Sequence, residues 1–181
     1  MRKTLGPAFF NRPTLTVARE LLGKYLVRRV GDKTIALVIT ETEAYDGPRD
    51  KASHAHRGRT PRNEPMFGPA GRTYIYFTYG IHWLLNIVCG ATEYPAGVLI
   101  RGAGDLIGPA RVTKFLAIDG TQNAQQLTRK LGLWIEDRGV KVLPCDVSRK
   151  PRVGIAYAEE YVHKPWRFIL KPTQKSRYNM K

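Results

Sequence analysis

The sequence predicts an α+β fold in one domain. Short runs of branched and aromatic residues have the two-residue alternation of strands, and glycines separate consecutive runs. Only a few stretches have the three-to-four-residue spacing of amphipathic helices. The 181 residues suffice for one core and contain no internal repeat or linker, so we expect a single domain over residues 1–181.

The first third of the chain predicts one helix and one hairpin. Apolar residues recur with helical spacing between Pro13 and Gly23, and the glycine marks the helix end. Two strands follow, Tyr25–Val30 and 34–42, joined by a Gly-Asp turn. Residues 46–71 are rich in Pro, Gly and Arg, and we expect them to form a long functional loop.

The remaining elements follow from the same patterns. Residues 73–79 and 82–88 predict a second hairpin that turns at Gly80. Residues 97–101 predict a strand that ends in a cation, and a helix is expected to begin at Pro109. We further expect a polar helix over 122–130 and short strands over 133–135, 140–143, 152–157 and 167–170.

The charge is strongly basic. Thirty Lys and Arg residues face fifteen Asp and Glu residues, which gives a net charge of +15. Such an excess favours a polyanionic partner through counterion release. The basic residues are spread along the whole chain, which indicates a basic surface on a folded domain and favours nucleic acid as the partner.

The sequence disfavours both a membrane protein and a protein stabilised by disulfides. No run of 18 apolar residues is present, and the N-terminal residues do not resemble a signal peptide. The two cysteines, Cys89 and Cys145, form neither a disulfide framework nor a zinc motif. We therefore expect a cytoplasmic protein without a membrane partner.

The segment Glu41-Thr-Glu-Ala-Tyr45 carries the first chemical signal. With unbroken strand alternation, Glu41, Glu43 and Tyr45 share one face with the aliphatic residues Ile35, Leu37 and Ile39. A half-buried carboxylate there has the setting of a general base with a shifted pKa. The alternative is a strand end that leaves the core and is solvated. Alternation alone does not separate Glu41 from Glu43.

Aromatic residues near predicted strand ends suggest a site for a planar ligand. Tyr45, Tyr76 and Tyr79 have flat side chains that can stack on a nucleobase, and His54 lies in the loop between them. Tyr79 beside Gly80 is predicted to project from a hairpin tip. Ordinary packing is the alternative for each tyrosine.

Polar residues in apolar surroundings add further candidates. Asn86 lies in an apolar run, so its amide must bond to the fold or to a ligand. Arg101 at its strand end can contact a phosphate or pair with Glu43. The carboxylates Glu41, Glu43, Asp46 and Asp50 suggest a Mg²⁺ site as an alternative. His54 and His56 have no third ligand at a defined spacing, so no metal or other cofactor is expected.

Several motifs together resemble the alkyladenine (3-methyladenine) DNA glycosylase family. They occur in the family's order and cover most of the chain. The most specific are Glu41-Thr-Glu-Ala-Tyr45, Thr60-Pro-Arg-Asn63, Tyr74-Ile-Tyr-Phe-Thr-Tyr-Gly80, Arg152-Val-Gly-Ile155 and Lys164-Pro-Trp-Arg-Phe168.

The resemblance implies roles for individual residues. Glu43 matches the general base that activates water, and Arg101 matches the arginine beside that water. Tyr45, His54 and Tyr76 match residues that hold the extruded base. Asn86 matches the residue that excludes the 2-amino group of guanine. The implied DNA-binding residues are Tyr79, which wedges into the duplex, and Arg62, Met66, Leu99, Val153, Gly154 and Lys164.

The resemblance also implies a fold and an activity. The expected architecture is a curved antiparallel sheet flanked by helices. The expected activity is a monofunctional, monomeric, nucleoid-associated DNA glycosylase, which removes 3-methyladenine, 7-methylguanine, hypoxanthine or ethenoadenine from damaged double-stranded DNA. The segment 102–107 is shorter than in most family members, which affects one wall of the DNA-binding surface. The alternatives are a non-catalytic basic nucleic-acid-binding protein and a Mg²⁺-dependent nuclease that uses Glu41, Glu43 and Asp46.

Overall fold

An antiparallel sheet organises the protein, whose computed structural model describes residues 2–171. The strands in this part of the chain are β1 (Lys3–Thr4), β2 (Tyr25–Val30), β3 (Lys33–Asp46), β4 (Thr73–Thr78), β5 (His82–Val88), β6 (Ala96–Ala103), β7 (Leu106–Ile107), β8 (Leu133–Asp137), β9 (Val147–Lys150) and β10 (Arg167–Leu170). The helices are α1 (Pro7–Phe10), α2 (Thr14–Glu20) and α3 (Pro109–Phe115). This combination confirms the predicted α+β class.

Strand β3 is the centre of the sheet. The strand order is β1-β8-β2-β3-β6-β5-β4, with β7 beside β6 and with β10 between β3 and β9. The first half of β3 pairs with β2, and its second half pairs with both β6 and β10. At Glu43 the backbone therefore faces Leu99 on one side and Arg167 on the other. This double pairing satisfies the backbone groups around a buried carboxylate.

A β-bulge divides β3 into two halves. Ile39 pairs with Ala103 and Thr42 pairs with Ile100, and the register between them is irregular on either side of Glu41. Opposite Glu41 lies Gly102, where an added Cβ would approach Thr40 Oγ1 to 2.9 Å. A bulge shifts the alternation of side chains by one position.

The bulge overturns the predicted face of β3. Ile39 and Ala44 both pack in the main core, and the Thr42 hydroxyl bonds to the Ala18 carbonyl of α2. Glu43 and Tyr45 therefore lie on the face opposite Ile39. The prediction of a shared face was wrong because it assumed an unbroken two-residue period.

The main core lies between the sheet and the helices. Helix α2 packs on β3 and β6, and α3 packs on β5 and β6. Fully buried side chains from every layer meet there, among them Phe10, Leu21, Leu26, Ile39, Leu85, Ile87, Ile100, Leu116, Leu133 and Ile135. The opposite face of the same strands is left free to form a cavity.

Most predicted elements are present, and three are not. The predicted helix over 122–130 is absent because backbone hydrogen bonds attach this segment to the edge of β4, including Thr73 N–H to Gln125 O and Ala124 N–H to Thr73 O. Residues 140–143 precede β9 without forming a strand, and residues 152–157 form turns around Gly154, at φ +77°. No helix within residues 2–171 is long and apolar enough to cross a membrane.

Candidate active site

A cavity of about 360 Å³ opens on the face of the sheet opposite the main core. This volume falls in the range of roughly 300–1,000 Å³ that is usual for small-molecule sites. Four segments form its walls: the loop 46–71, the β4–β5 hairpin, β6 with the start of α3, and the loop 151–158. Its lining includes Tyr45, Ala52, His54, Met66, Tyr74, Tyr76, Tyr79, Leu84, Asn86, Gly97, Leu99, Arg101, Pro109, Val153, Gly154, Ile155 and Tyr157.

Glu43 lies directly behind this lining and is fully buried. One carboxylate oxygen accepts a hydrogen bond from the Tyr45 hydroxyl at 2.9 Å. The other accepts the Val153 N–H at 2.8 Å and lies 3.4 Å from Arg101 Nε. All three partners line the cavity, so the carboxylate is one layer beneath its wall.

Burial raises the pKa of Glu43 above that of an ordinary glutamate. The charge of Arg101 and the hydrogen bonds from Val153 and Tyr45 oppose this shift, because each favours the ionised form. A carboxylate with a raised pKa is better suited to accept a proton near neutral pH. The environment of Glu43 is therefore that of a general base.

Glu41 has a different environment although it is only two residues away. Its Oε1 accepts hydrogen bonds from Arg101 Nε at 3.2 Å and from Arg167 Nη1 at 3.1 Å. The two guanidinium groups hold this carboxylate in place. Glu41 therefore orients Arg101, which lies between the two carboxylates.

Aromatic rings form the walls of the cavity. Tyr74 and Tyr76 lie on one face of β4 with ring centroids 5.3 Å apart. His54 meets Tyr76 edge to face at 4.6 Å, and its Nδ1 lies 2.8 Å from the Tyr74 hydroxyl. Tyr45 closes the side next to Glu43. Flat rings on several sides suit a planar base.

The protonation states of these groups favour a neutral pocket wall. Burial, followed by the charge of Arg62, lowers the pKa of His54, so its imidazole is neutral at neutral pH. Burial raises the pKa of Tyr74 to about 12 and that of Tyr45 well above its usual value. The tyrosine hydroxyls therefore stay protonated, and that of Tyr45 donates to Glu43.

Arg62 and Asn86 are anchored to the same hairpin. The Arg62 guanidinium lies over the Tyr76 ring at 5.3 Å and donates to the Phe77 carbonyl. The Asn86 amide is buried, donates to the Tyr74 carbonyl at 3.2 Å and lines the cavity. The fold therefore satisfies this amide, and a bond from Asn86 to a ligand stays a prediction.

Tyr79 projects from the hairpin tip, as predicted. It is 87% exposed, and its backbone adopts φ +52°, a left-handed conformation that is uncommon for a residue with a side chain. Gly80 follows at φ +69° and completes the turn. This backbone presents the phenol ring at the cavity rim.

The other predicted DNA-binding residues occupy three positions. Met66 and Leu99 are buried and line the cavity. Val153 and Gly154 are exposed at its rim. Lys164 does not line it, and its ammonium group lies over the Tyr161 and Trp166 rings. Their contacts with DNA stay predictions.

Sequence reasoning missed one buried ion pair that supports the site. Arg152 binds both oxygens of Asp50 at 2.5 and 2.8 Å and donates to the Ala44 carbonyl. Its guanidinium lies between the Tyr45 and Trp166 rings, at 4.8 and 5.0 Å. Because Val153 follows Arg152, this pair positions both Tyr45 and the N–H that binds Glu43. The sequence feature that could have revealed this pair is Arg152, the charged first residue of the Arg152-Val-Gly-Ile155 motif.

The carboxylates suggested as Mg²⁺ ligands have other partners. Asp50 binds Arg152, Glu41 binds two arginines, and Asp46 accepts from Thr14 and Tyr94. Within residues 2–171, no three His, Cys, Asp or Glu side chains converge as metal ligands do.

Comparison of the sequence with known protein families identifies the family of this chain. A model of the methylpurine-DNA glycosylase family matches residues 8–174. The chain belongs to the methylpurine-DNA glycosylase family. It is therefore a DNA glycosylase, a repair hydrolase that acts on N-glycosyl bonds.

Individual relatives are similar in sequence to this chain over most of their length. A protein of Streptomyces avermitilis is 42% identical, covering 92% of this chain and 87% of its own. One from Psychrobacter cryohalolentis is 43% identical over 84% of each chain, and one from Anaeromyxobacter dehalogenans is 41% identical over 92% and 83%. Each is provisionally named a 3-methyladenine DNA glycosylase. The glycosylase assignment replaces the alternatives of a nuclease and a non-catalytic binding protein.

Proposed function

We propose that this glycosylase releases alkylated and deaminated purines from duplex DNA and leaves an abasic site. The observation that carries the proposal is the buried Glu43 directly behind an aromatic cavity, paired with Arg101 in the cavity wall. The names of the relatives support 3-methyladenine as a substrate. The planar aromatic walls also suit 7-methylguanine, hypoxanthine and ethenoadenine.

The nucleotide must leave the helix before it reaches Glu43, because the cavity lies behind the protein surface. Tyr79 enters the duplex and fills the gap that the extruded base leaves. The base then lies against Tyr45, His54 and Tyr76. Asn86 faces the purine edge, where it excludes the 2-amino group of normal guanine.

The chemical step is a hydrolysis at C1′ of the deoxyribose. Glu43 accepts a proton from water while the water oxygen bonds to C1′ and the bond from C1′ to the purine nitrogen breaks, with its electron pair leaving on the base. In DNA, 3-methyladenine and 7-methylguanine carry a positive charge and leave as neutral bases. Hypoxanthine and ethenoadenine are neutral in DNA, so they leave as anions that take up a proton from water. Glu43 and Arg101 position the water, and the carboxylate stabilises positive charge on the sugar.

One assay tests the proposed function. Duplexes that carry a single 3-methyladenine, 7-methylguanine, hypoxanthine or ethenoadenine are incubated with the protein in EDTA, and free base is separated chromatographically. We expect base release with an intact backbone until alkali cleaves the abasic site. Strand cleavage without alkali would contradict a monofunctional reaction, and absence of free base from all four duplexes would contradict the proposal itself.

We also infer that the enzyme acts as a monomer. Every residue named in the mechanism comes from one chain, so the cavity needs no second copy. Light scattering with and without a lesion duplex should give one protein per duplex. A stable dimer at assay concentration would overturn this inference.

A further inference from the structure

Tyr157 is an aromatic residue at the cavity mouth that has no role in the mechanism proposed above. It lines the cavity and is 65% exposed. Its hydroxyl donates to the Ala52 carbonyl at 3.3 Å, which joins the loop 151–158 to the loop 46–71. The hydroxyl is thus engaged within the protein, and the ring is the part left available for a ligand.

The position of Tyr157 complements that of Tyr79. The two residues come from separate segments, and both line the same cavity. Tyr76, a wall of the base pocket, lines it as well. A base that occupies the pocket leaves its deoxyribose at this mouth, since the sugar is the next group along the nucleotide.

We propose that Tyr157 is a further substrate-contacting residue, whose ring packs on the deoxyribose of the extruded nucleotide and slows its return to the helix. The inference rests on the proposed function, because it requires a base in the pocket. It separates the tasks of two tyrosines: Tyr79 occupies the gap left in the duplex, and Tyr157 holds the nucleotide itself.

This division predicts that Tyr79→Ala and Tyr157→Ala respond differently to the presence of the second DNA strand. A single-stranded oligonucleotide has no gap to fill, so Tyr79→Ala should impair extrusion from duplex only. Tyr157→Ala should weaken the hold on the lesion in both substrates, by about tenfold if its ring contributes as one stacked aromatic does. Tyr157→Phe keeps the ring and should stay near wild type.

Fluorescence measures extrusion without hydrolysis. A lesion duplex carries 2-aminopurine beside the damaged base, and its emission rises when the stacking partner leaves the helix. Stopped-flow records give the rates of extrusion and return. We expect Tyr157→Ala to accelerate return about tenfold, while Tyr157→Phe and wild type agree. Base release from single-stranded lesion DNA is measured in parallel.

Tyr94→Ala is the matched control, because Tyr94 is also an exposed tyrosine with an anchored hydroxyl but lies outside this cavity. Thermal unfolding checks that each variant is folded. Equal return rates for wild type and folded Tyr157→Ala would overturn the inference, and so would a defect confined to duplex. Failure of wild type to release any base would instead contradict the proposed function.

Discussion

The two halves of β3 place similar carboxylates in dissimilar environments. Glu41, at the bulge, accepts hydrogen bonds from two guanidinium groups, those of Arg101 and Arg167. Glu43, just beyond it, is fully buried, feels the charges of Arg101 and Arg152, and contacts three residues of the cavity wall. The comparison teaches that two carboxylates on one strand can differ in burial and partners: two arginines donate to Glu41, whereas complete burial raises the pKa of Glu43.

The strongest test of this difference is Glu43→Gln. Because the amide cannot accept a proton from water, base release should fall by roughly 10²–10⁴-fold, the usual contribution of a general base. Single-turnover kinetics with a hypoxanthine duplex measure the loss. Release at a near wild-type rate would show that Glu43 is not the base.

The same variant should be more stable than wild type at neutral pH. The pKa of Glu43 is raised by folding, so the protonated form is favoured in the folded state. Its contribution to the free energy of unfolding is fully present below the unfolded pKa and is lost as pH rises through the folded pKa. The amide introduced by Glu43→Gln cannot ionise, and thermal unfolding of the variant at neutral pH should therefore occur at a higher temperature. A lower unfolding temperature would contradict this expectation.

Glu41→Gln should affect stability more than activity, which is the reverse of Glu43→Gln. Removal of this carboxylate leaves Arg167 without its anion and Arg101 with Glu43 alone, which should lower the free energy of unfolding by roughly 3 kcal/mol. Base release should fall less than in Glu43→Gln. Urea denaturation and kinetics on the same preparation test both statements, and a larger loss of activity than in Glu43→Gln would reverse the assignment.

Gly102→Val probes the bulge that separates the two carboxylates. Its Cβ would lie 2.9 Å from Thr40 Oγ1 and 3.0 Å from the Glu41 Cβ, so β3 must shift. We expect a destabilisation of about 1–3 kcal/mol, with slower base release. Gly6→Val is the control, because no atom lies within 4 Å of its added Cβ. Equal unfolding midpoints for the two variants would show that the bulge tolerates a side chain.

The smallest expected effect is a shift in pH dependence. The Tyr45 hydroxyl stabilises ionised Glu43, so Tyr45→Phe should raise the pKa of Glu43 further. Activity requires the carboxylate, and its loss on acidification should therefore begin at higher pH. Tyr74→Phe removes a hydroxyl that contacts His54 instead, and it should leave the position of the acidic limb unchanged. If the acidic limb of the pH–activity profile of Tyr45→Phe coincides with that of wild type, Tyr45 does not influence the pKa of Glu43.

Local patterns predicted the elements whose stability is local. The β2–β3 and β4–β5 hairpins, helix α2 and the exposed Tyr79 tip all follow from alternation, glycine turns and helix ends. The segment 122–130 has helical spacing at Leu127 and Leu131, yet it pairs with β4. Its backbone groups bond more favourably to a strand edge than a short polar helix would bond to itself.

The sequence by itself determined the α+β class, the basic surface and the family motifs that single out Glu43. Only the tertiary structure decided which face of β3 the carboxylates occupy and which one accepts hydrogen bonds from two arginines. The reason is that a bulge is a property of two paired strands, and the alternation within β3 cannot reveal it. Likewise, Arg101, Arg152 and Val153 reach Glu43 through folding alone, because each of them is far from it in the chain.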